Sequence, residues 1–126
     1  MHGCIISLDF FKAYDRVFLG FLVKVMDKMN FSSTFIAWVK MLHEGASTCF
    51  IFEFLTVAIS VTFSIRPGDP LAMLLYIVYV EPLLNSLEKK LSGIQFNDPF
   101  PTKEVTEAYC DDINIITNDL NDFSKI

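Results

Sequence analysis

The chain has 126 residues, 52% of them hydrophobic and 14% aromatic, which is about one domain's length and apolar enough to build a core rather than stay disordered. Its formal net charge is -5, from 15 acidic and 10 basic residues, and the basic residues are scattered, so no basic stripe marks a nucleic-acid surface. Acidity still permits nucleic acid if the carboxylates sit on divalent cations that reverse the local charge.

Cys4, Cys49 and Cys110 lie far apart, with His2 and His43 as the available nitrogen partners, which argues against a zinc site or a disulfide framework. A reducing compartment follows, so the chain is expected to be intracellular, nuclear or cytoplasmic. The opening "MHGCIISLDFFKAYD" reaches Asp9 and Lys12 too soon for a signal peptide. The mean hydropathy of +0.43 raises the question of a membrane. The apolar run at 71–80 stops at Glu81 and Pro82, and residues 48–65 are broken by Glu53 and several Ser and Thr, so no membrane partner is expected.

The predicted elements begin with "CIISLDF", a β-type run that delivers Asp9 near its end. Apolar residues Phe18, Phe21, Leu22, Val25, Met26 and Met29 then recur at three and four, the mark of a helix with one buried stripe. "NFSS" interrupts it, offering Ser32 or Ser33 as N-cap of a second helix closed by Gly45. "STCFIFEFLTVAISVTFSI" is dense in β-branched and aromatic residues and predicts two strands, with a turn near 55–58.

Asp69 as cap and Pro70 at the first helical position predict a helix from 70, which Pro82 is expected to kink or break. "QFNDPFPTKE" reads as a linker. "VTEAYCDDINIIT" reads as two short strands flanking Asp111 and Asp112, and "NDLNDFSKI" as the start of another helix. The sum is an α+β arrangement, an antiparallel sheet with helices packed on one face, in a single domain spanning 1–126.

A neighbouring pair of carboxylates inside β-type sequence is either a solvated turn, which Asp favours, or a metal clamp. Asp9 alone reads equally as a turn former or cap, Asp69 as a cap, and Tyr14 as a core residue. His43 near a helix end reads as placed there by the helix alone.

Three stretches stand in order: "LDFFKAYD", "RPGDPLAMLLY" and "AYCDD". Together they resemble the palm of a reverse transcriptase, most closely those of non-LTR, LINE-type retrotransposons, over residues 5–123. The resemblance implies a polymerase palm-like fold lacking fingers and thumb, those regions belonging to a longer polyprotein. It implies an RNA-directed DNA polymerase acting on an RNA template, a DNA primer and dNTPs. Two Mg²⁺ ions, or Mn²⁺, would be held by Asp9 and Asp111, with Asp112 completing the cluster. Sharing one ion requires carboxylate oxygens of Asp9 and Asp111 within roughly 3 to 6 Å of each other.

The same resemblance assigns substrate contacts to Phe10, Tyr14, Arg66 and Gly68. Tyr14 would exclude a 2′-hydroxyl, Gly68 would let backbone pass close to the incoming nucleotide, and Arg66 would contact phosphate or template. The chain departs from the family at Pro67, where Gln is usual, at Ala72 and Met73, where Ser-Pro is usual, and at Cys110, where Ala is usual. Proline offers neither a side-chain nor a backbone donor, so one nucleotide contact is lost. The departures leave a second reading, a non-catalytic remnant serving as an interaction module.

Overall fold

A computed structural model of the chain describes residues 3–49, 51, 54, 56–60, 65–66, 68–96 and 101–126. Two compact units form, one from Met1–Phe11 with Val80–Ile126 and one from Lys12–Tyr79.

In the first unit, strands β1 (Cys4–Asp9), β6 (Thr106–Tyr109) and β7 (Asp112–Thr117) make an antiparallel sheet in the order β1-β7-β6. Burial alternates along β1 and β7, as side chains of a strand must point to opposite faces. Ile113, Ile115 and Thr117 are fully buried on one face, where Ile6 and Leu8 of β1 join them half-buried. Leu87, Leu91, Val105 and Ile115 form the core cluster against which Ile6 and Leu8 pack.

Leu87 belongs to helix α3, Pro70–Lys90, so the end of that helix covers the sheet's apolar face. Lys103 caps that end, its ammonium donating to the Leu91 carbonyl at 2.9 Å and the Glu88 carbonyl at 3.4 Å. The expected linker contains a hairpin, β4 (Ile94–Phe96) paired with β5 (Thr102–Glu104). Gly93 makes it possible: its φ is +66°, and a Cβ there would collide with the Glu104 carbonyl oxygen. Residues 97–100 lie outside the description.

The tail forms a short 3-10 helix, Leu120–Lys125, capped by Asp119, which accepts from the Asn121 N–H at 2.9 Å. Asp122 within it is fully buried. Its carboxylate accepts from the Thr117 hydroxyl, from the Ser92 N–H at 2.9 Å, and from Lys125 at 2.8 Å. The Lys125 ammonium, the Thr117 hydroxyl and the Ser92 N–H together hold Asp122 far below the usual carboxylate range.

The second unit opens with a 3-10 turn, Tyr14–Arg16, followed by helices α1 (Leu19–Lys28) and α2 (Ser33–His43). Of the stripe predicted on α1, Leu22, Val25 and Met26 are buried, while Phe18, Phe21 and Met29 remain exposed. Ser32 is the cap of α2, accepting from the Phe35 N–H at 3.2 Å. Gly45 follows that helix at φ +68°, the left-handed conformation that ends helices. His43 is buried in the last turn of α2, where its Nδ1–H donates to the Val39 carbonyl at 3.0 Å.

Strands β2 (Ser47–Thr48) and β3 (Ile59–Ser60) pair antiparallel. Residues 50, 52–53, 55 and 61–64, where the rest of the two predicted strands would fall, lie outside the described residues, as do His2 and Pro67. The sheet is therefore not single: the described strands form one three-stranded and two two-stranded sheets.

Asp69 caps α3 as expected, its Oδ1 accepting from the Leu71 N–H at 2.8 Å. Pro82 does not end the helix. Proline removes one backbone bond, but apolar residues on either side of it, Leu75 and Tyr76 before and Leu87 after, are buried, and packing overrides local propensity. The resulting 21 residues are, by length and composition, enough to cross a membrane, contrary to the sequence reading, which ended the apolar run at 80. Ala72, Leu75, Tyr76, Val80 and Leu87 are buried in the fold, while Met73, Leu74, Ile77 and Leu83 of the same helix are exposed.

Candidate active site

The carboxylates are positioned by strand register. Asp9, the last residue of β1, lies directly opposite Asp112, the first residue of β7. Asp112 is also opposite Tyr109, the last residue of β6. Cys110 and Asp111 therefore form a two-residue hairpin loop. Cys110 has φ +56° and Asp111 does not share a positive φ, the pattern of a type II′ turn. A non-glycine residue in that conformation is strained, and such strain persists where the surroundings dictate it.

Opposed residues of an antiparallel pair share a face, with Cβ atoms about 4.5–5.5 Å apart. Asp9 and Asp112 are thus neighbours on the exposed face of the sheet, opposite to the face carrying Ile113 and Ile115. Ser7 and Asn114 form the next pair on that face, joined by a hydrogen bond from the Ser7 hydroxyl to Asn114 Oδ1 at 2.7 Å. Glu107 of β6 lies opposite Asn114 on the same face. These three were legible in sequence only once strand register was known, since each is two residues from a predicted carboxylate or aligned with one that is.

Like charges placed directly opposite destabilise a sheet. The ion pair of Lys125 with Asp122 does not involve Asp9, Asp111 or Asp112. Nor do three or more His, Cys, Asp or Glu side chains gather there as a ready metal cage, among the described residues. What the register gives is a carboxylate pair, with the third carboxylate one residue away at the hairpin tip.

The remaining predicted contacts belong to two different stretches. Phe10 follows Asp9 directly and is half-buried. In the second unit, Tyr14 is half-buried with its ring 5.0 Å from that of Tyr76, and its carbonyl accepts from the Ile65 N–H at 3.2 Å. Arg66 is exposed, and its carbonyl accepts from the Asp69 N–H at 3.1 Å. Gly68 has φ +88°, the left-handed region that favours glycine. A Cβ at Gly68 would meet nothing within 4 Å, so the glycine is required by backbone conformation, with open space beside it.

The sequence profile described as reverse transcriptase (RNA-dependent DNA polymerase) matches residues 1–126, the whole chain. The chain belongs to the reverse transcriptase family. A relative, the Transposon TX1 uncharacterized 149 kDa protein of Xenopus laevis, is 31% identical over 121 residues. The match takes in 95% of this chain and 9% of that protein, so the chain spans about a tenth of the length of the relative. The reverse transcriptase resemblance carried by three short motifs is shown by the family match, and the α+β class by the described elements. As a family, reverse transcriptases use divalent metals and bind a nucleic-acid template and primer.

Proposed function

We propose that this reverse transcriptase chain is the palm segment of an active RNA-directed DNA polymerase, which joins dNTPs to a primer 3′-hydroxyl on an RNA template. The observation that carries the reading is the register Asp9 opposite Asp112, with Asp111 at the tip of the adjoining hairpin.

The donors fit Mg²⁺ or Mn²⁺: they are hard carboxylate oxygens, and Mg²⁺ is commonly bound by one or two carboxylates together with water and substrate phosphates rather than by an all-protein cage. Asp9 and Asp111 would hold two such ions, with Asp112 beside them. Bound there, the ions supply activation of the primer hydroxyl and stabilisation of the leaving pyrophosphate. The chain's own part is to hold the carboxylates in place. Ile113 and Ile115, buried beneath the exposed face, fix the register of β7, and a slip of one residue would turn Asp112 to the wrong face.

In this reading Tyr14 bars the 2′-hydroxyl, Phe10 contacts substrate, Gly68 lets backbone lie close to the nucleotide, and Arg66 takes phosphate or template. Fingers and thumb of a longer polyprotein hold template and primer, because the 10 basic residues here form no stripe and phosphate contacts dominate nucleic-acid affinity. In this reading the protein works inside the cell, in nucleus or cytoplasm.

Primer extension on an RNA template by the full-length protein tests the reading. Incorporation of dNTPs that Asp111→Asn abolishes supports it. Absence of incorporation by the unsubstituted protein, under Mg²⁺ and under Mn²⁺, contradicts it and leaves a remnant with an interaction role.

A further inference from the structure

Helices α1 and α2, joined by residues 29–32, leave an open cleft of about 450 Å³ between them, within the unit Lys12–Tyr79. It shares no residue with the candidate active site. Helical spacing decides what lines it. Lys24 and Asp27 stand three apart on α1, and Ser33, Ile36 and Lys40 follow at three and seven on α2, so each set lies on one face of its helix. Ile36 is buried and gives the cleft an apolar wall, while Lys24, Asp27, Ser33 and Lys40 are exposed.

Phe31, also lining the cleft, is set by the way α1 ends. Asn30 takes φ +60°, and the Phe31 N–H donates to the Met26 carbonyl at 3.0 Å, the wrapped-back ending of a helix. The Phe31 ring is half-buried and stacks on that of Phe35, 5.9 Å away at 22°. An aromatic ring braced by a second one is a firm surface for a flat ligand.

The charges narrow the ligand. Among the described residues Asp27 forms no ion pair with Lys24 or Lys40, although all three line one cleft. Two ammonium groups in one cleft are complementary to an anion. A carboxylate only accepts, so Asp27 calls for a hydrogen-bond donor. A ligand that answers every feature has negative charge, a hydroxyl donor and a flat apolar body. Single-stranded RNA carries all three in each nucleotide, as phosphate, 2′-hydroxyl and base. DNA lacks the hydroxyl, and an acidic peptide lacks the base.

We propose that the α1–α2 cleft binds a nucleotide of single-stranded RNA, its flanking phosphates at Lys24 and Lys40, its base against Phe31 and its 2′-hydroxyl at Asp27. Two cations make no stripe, and one nucleotide engages no more than two. The inference does not rest on the polymerase reading, because the cleft takes no part in the chemistry proposed for the carboxylates.

The test is photocrosslinking of the full-length protein to a short oligouridine carrying photoreactive thiouridine, with crosslinked residues mapped by mass spectrometry. Crosslink yield at Phe31, titrated against RNA, reads the occupancy of this cleft and of no other RNA site. The expected result is a crosslink at Phe31 with RNA favoured over the matching thiothymidine DNA by about fivefold, the scale of a partly exposed hydrogen bond to a charged group. Replacing both lysines, Lys24→Gln with Lys40→Gln, should reduce the slope of log affinity against log salt by about 1.4, or about 0.7 for each phosphate contact of a single strand. Asp27→Ala should erase the preference for RNA and leave DNA binding in place.

No crosslink at Phe31 overturns the inference, as does an equal yield with DNA. Competition by polyglutamate as effective as that of RNA at equal charge also overturns it, since the cleft would then read charge alone. An unchanged salt slope in the folded double-lysine variant does the same. A crosslink at Phe31 in a protein that incorporates no dNTP supports this inference and contradicts the polymerase reading alone.

Discussion

The two compact units hold their candidate functional residues by different means. In the unit of Met1–Phe11 and Val80–Ile126, Asp9 and Asp112 are placed by the register of a sheet whose other face is buried. In the unit of Lys12–Tyr79, Tyr14 sits in a 3-10 turn, and Arg66 and Gly68 lie just before α3, where the Arg66 carbonyl accepts from the Asp69 N–H. Register is a collective property, so it tolerates change at a neighbour, as at Cys110 in place of the usual Ala. A turn is set by its own few residues, so a change within it acts directly on the groups it carries.

The strongest way to break that comparison is through the carboxylates. Asp9→Asn or Asp111→Asn should lower primer extension by about a thousandfold, since charge stabilisation by a bound metal is worth several kcal/mol, with the circular-dichroism spectrum unchanged. Removal of divalent metal by chelation should do the same to the unsubstituted protein. A loss of fold in these variants would mean that the carboxylates serve the sheet rather than the chemistry.

Packing comes next. Ile115→Ala should destabilise by about 2–5 kcal/mol in urea unfolding, because Ile115 is fully buried in the core cluster that fixes the register. Two glycines sharpen the contrast between the units. Gly93→Ala forces both a left-handed alanine and a collision with the Glu104 carbonyl, whereas Gly68→Ala meets open space and bears only the conformational strain, about 1–2 kcal/mol. The first should therefore cost clearly more than the second, and equal costs would show that the β4–β5 hairpin yields easily.

How much of this was legible in the sequence follows the same division. The caps at Ser32 and Asp69, the ending of α2 at Gly45, the central half of the stripe on α1 (Leu22, Val25 and Met26) and the three motif stretches could be read because each is a local pattern. The opposition of Asp9 to Asp112 could not, because it depends on how residues more than a hundred apart align. The hairpin within 94–104 was hidden for a related reason: its strands are three residues each, too short for alternation to show. The passage of α3 through Pro82 was missed because local propensity there is outweighed by burial on both sides. Asp122 gave no signal at all; an acidic residue in a polar tail reads as solvated, and only the convergence of Thr117, Ser92 and Lys125 explains its burial.

Asp122 also provides a pH test. Lys125 first, then Thr117 and Ser92, lower its folded pKa, so its stabilising contribution is present above the unfolded value of about 4 and is lost as pH falls through the lower folded value. Lys125 is raised by Asp122, so its share is present below about pH 10.4 and lost as pH rises through the higher folded value. The Tm difference between the unsubstituted protein and Asp122→Asn should be steady at neutral pH and shrink in acid below about pH 4. A difference that persists in strong acid would show that the asparagine misfits for steric reasons. The smallest expected effect is at the start of α3, where Asp69→Ala should cost about 1 kcal/mol through loss of the cap to Leu71.

In the proposed polymerase the hairpin bearing Cys110 and Asp111 holds its carboxylates up to a metal ion shared with Asp9. A crystal structure of the full-length protein grown with Mn²⁺, read by the metal's anomalous scattering, tests it most directly. The expected result is a peak at coordination distance, about 2.1 Å, from carboxylate oxygens of both Asp9 and Asp111. A peak absent at full Mn²⁺ occupancy elsewhere, or Asp9 and Asp111 turned to opposite faces of the sheet, would contradict it and make the two aspartates of the hairpin a solvated turn.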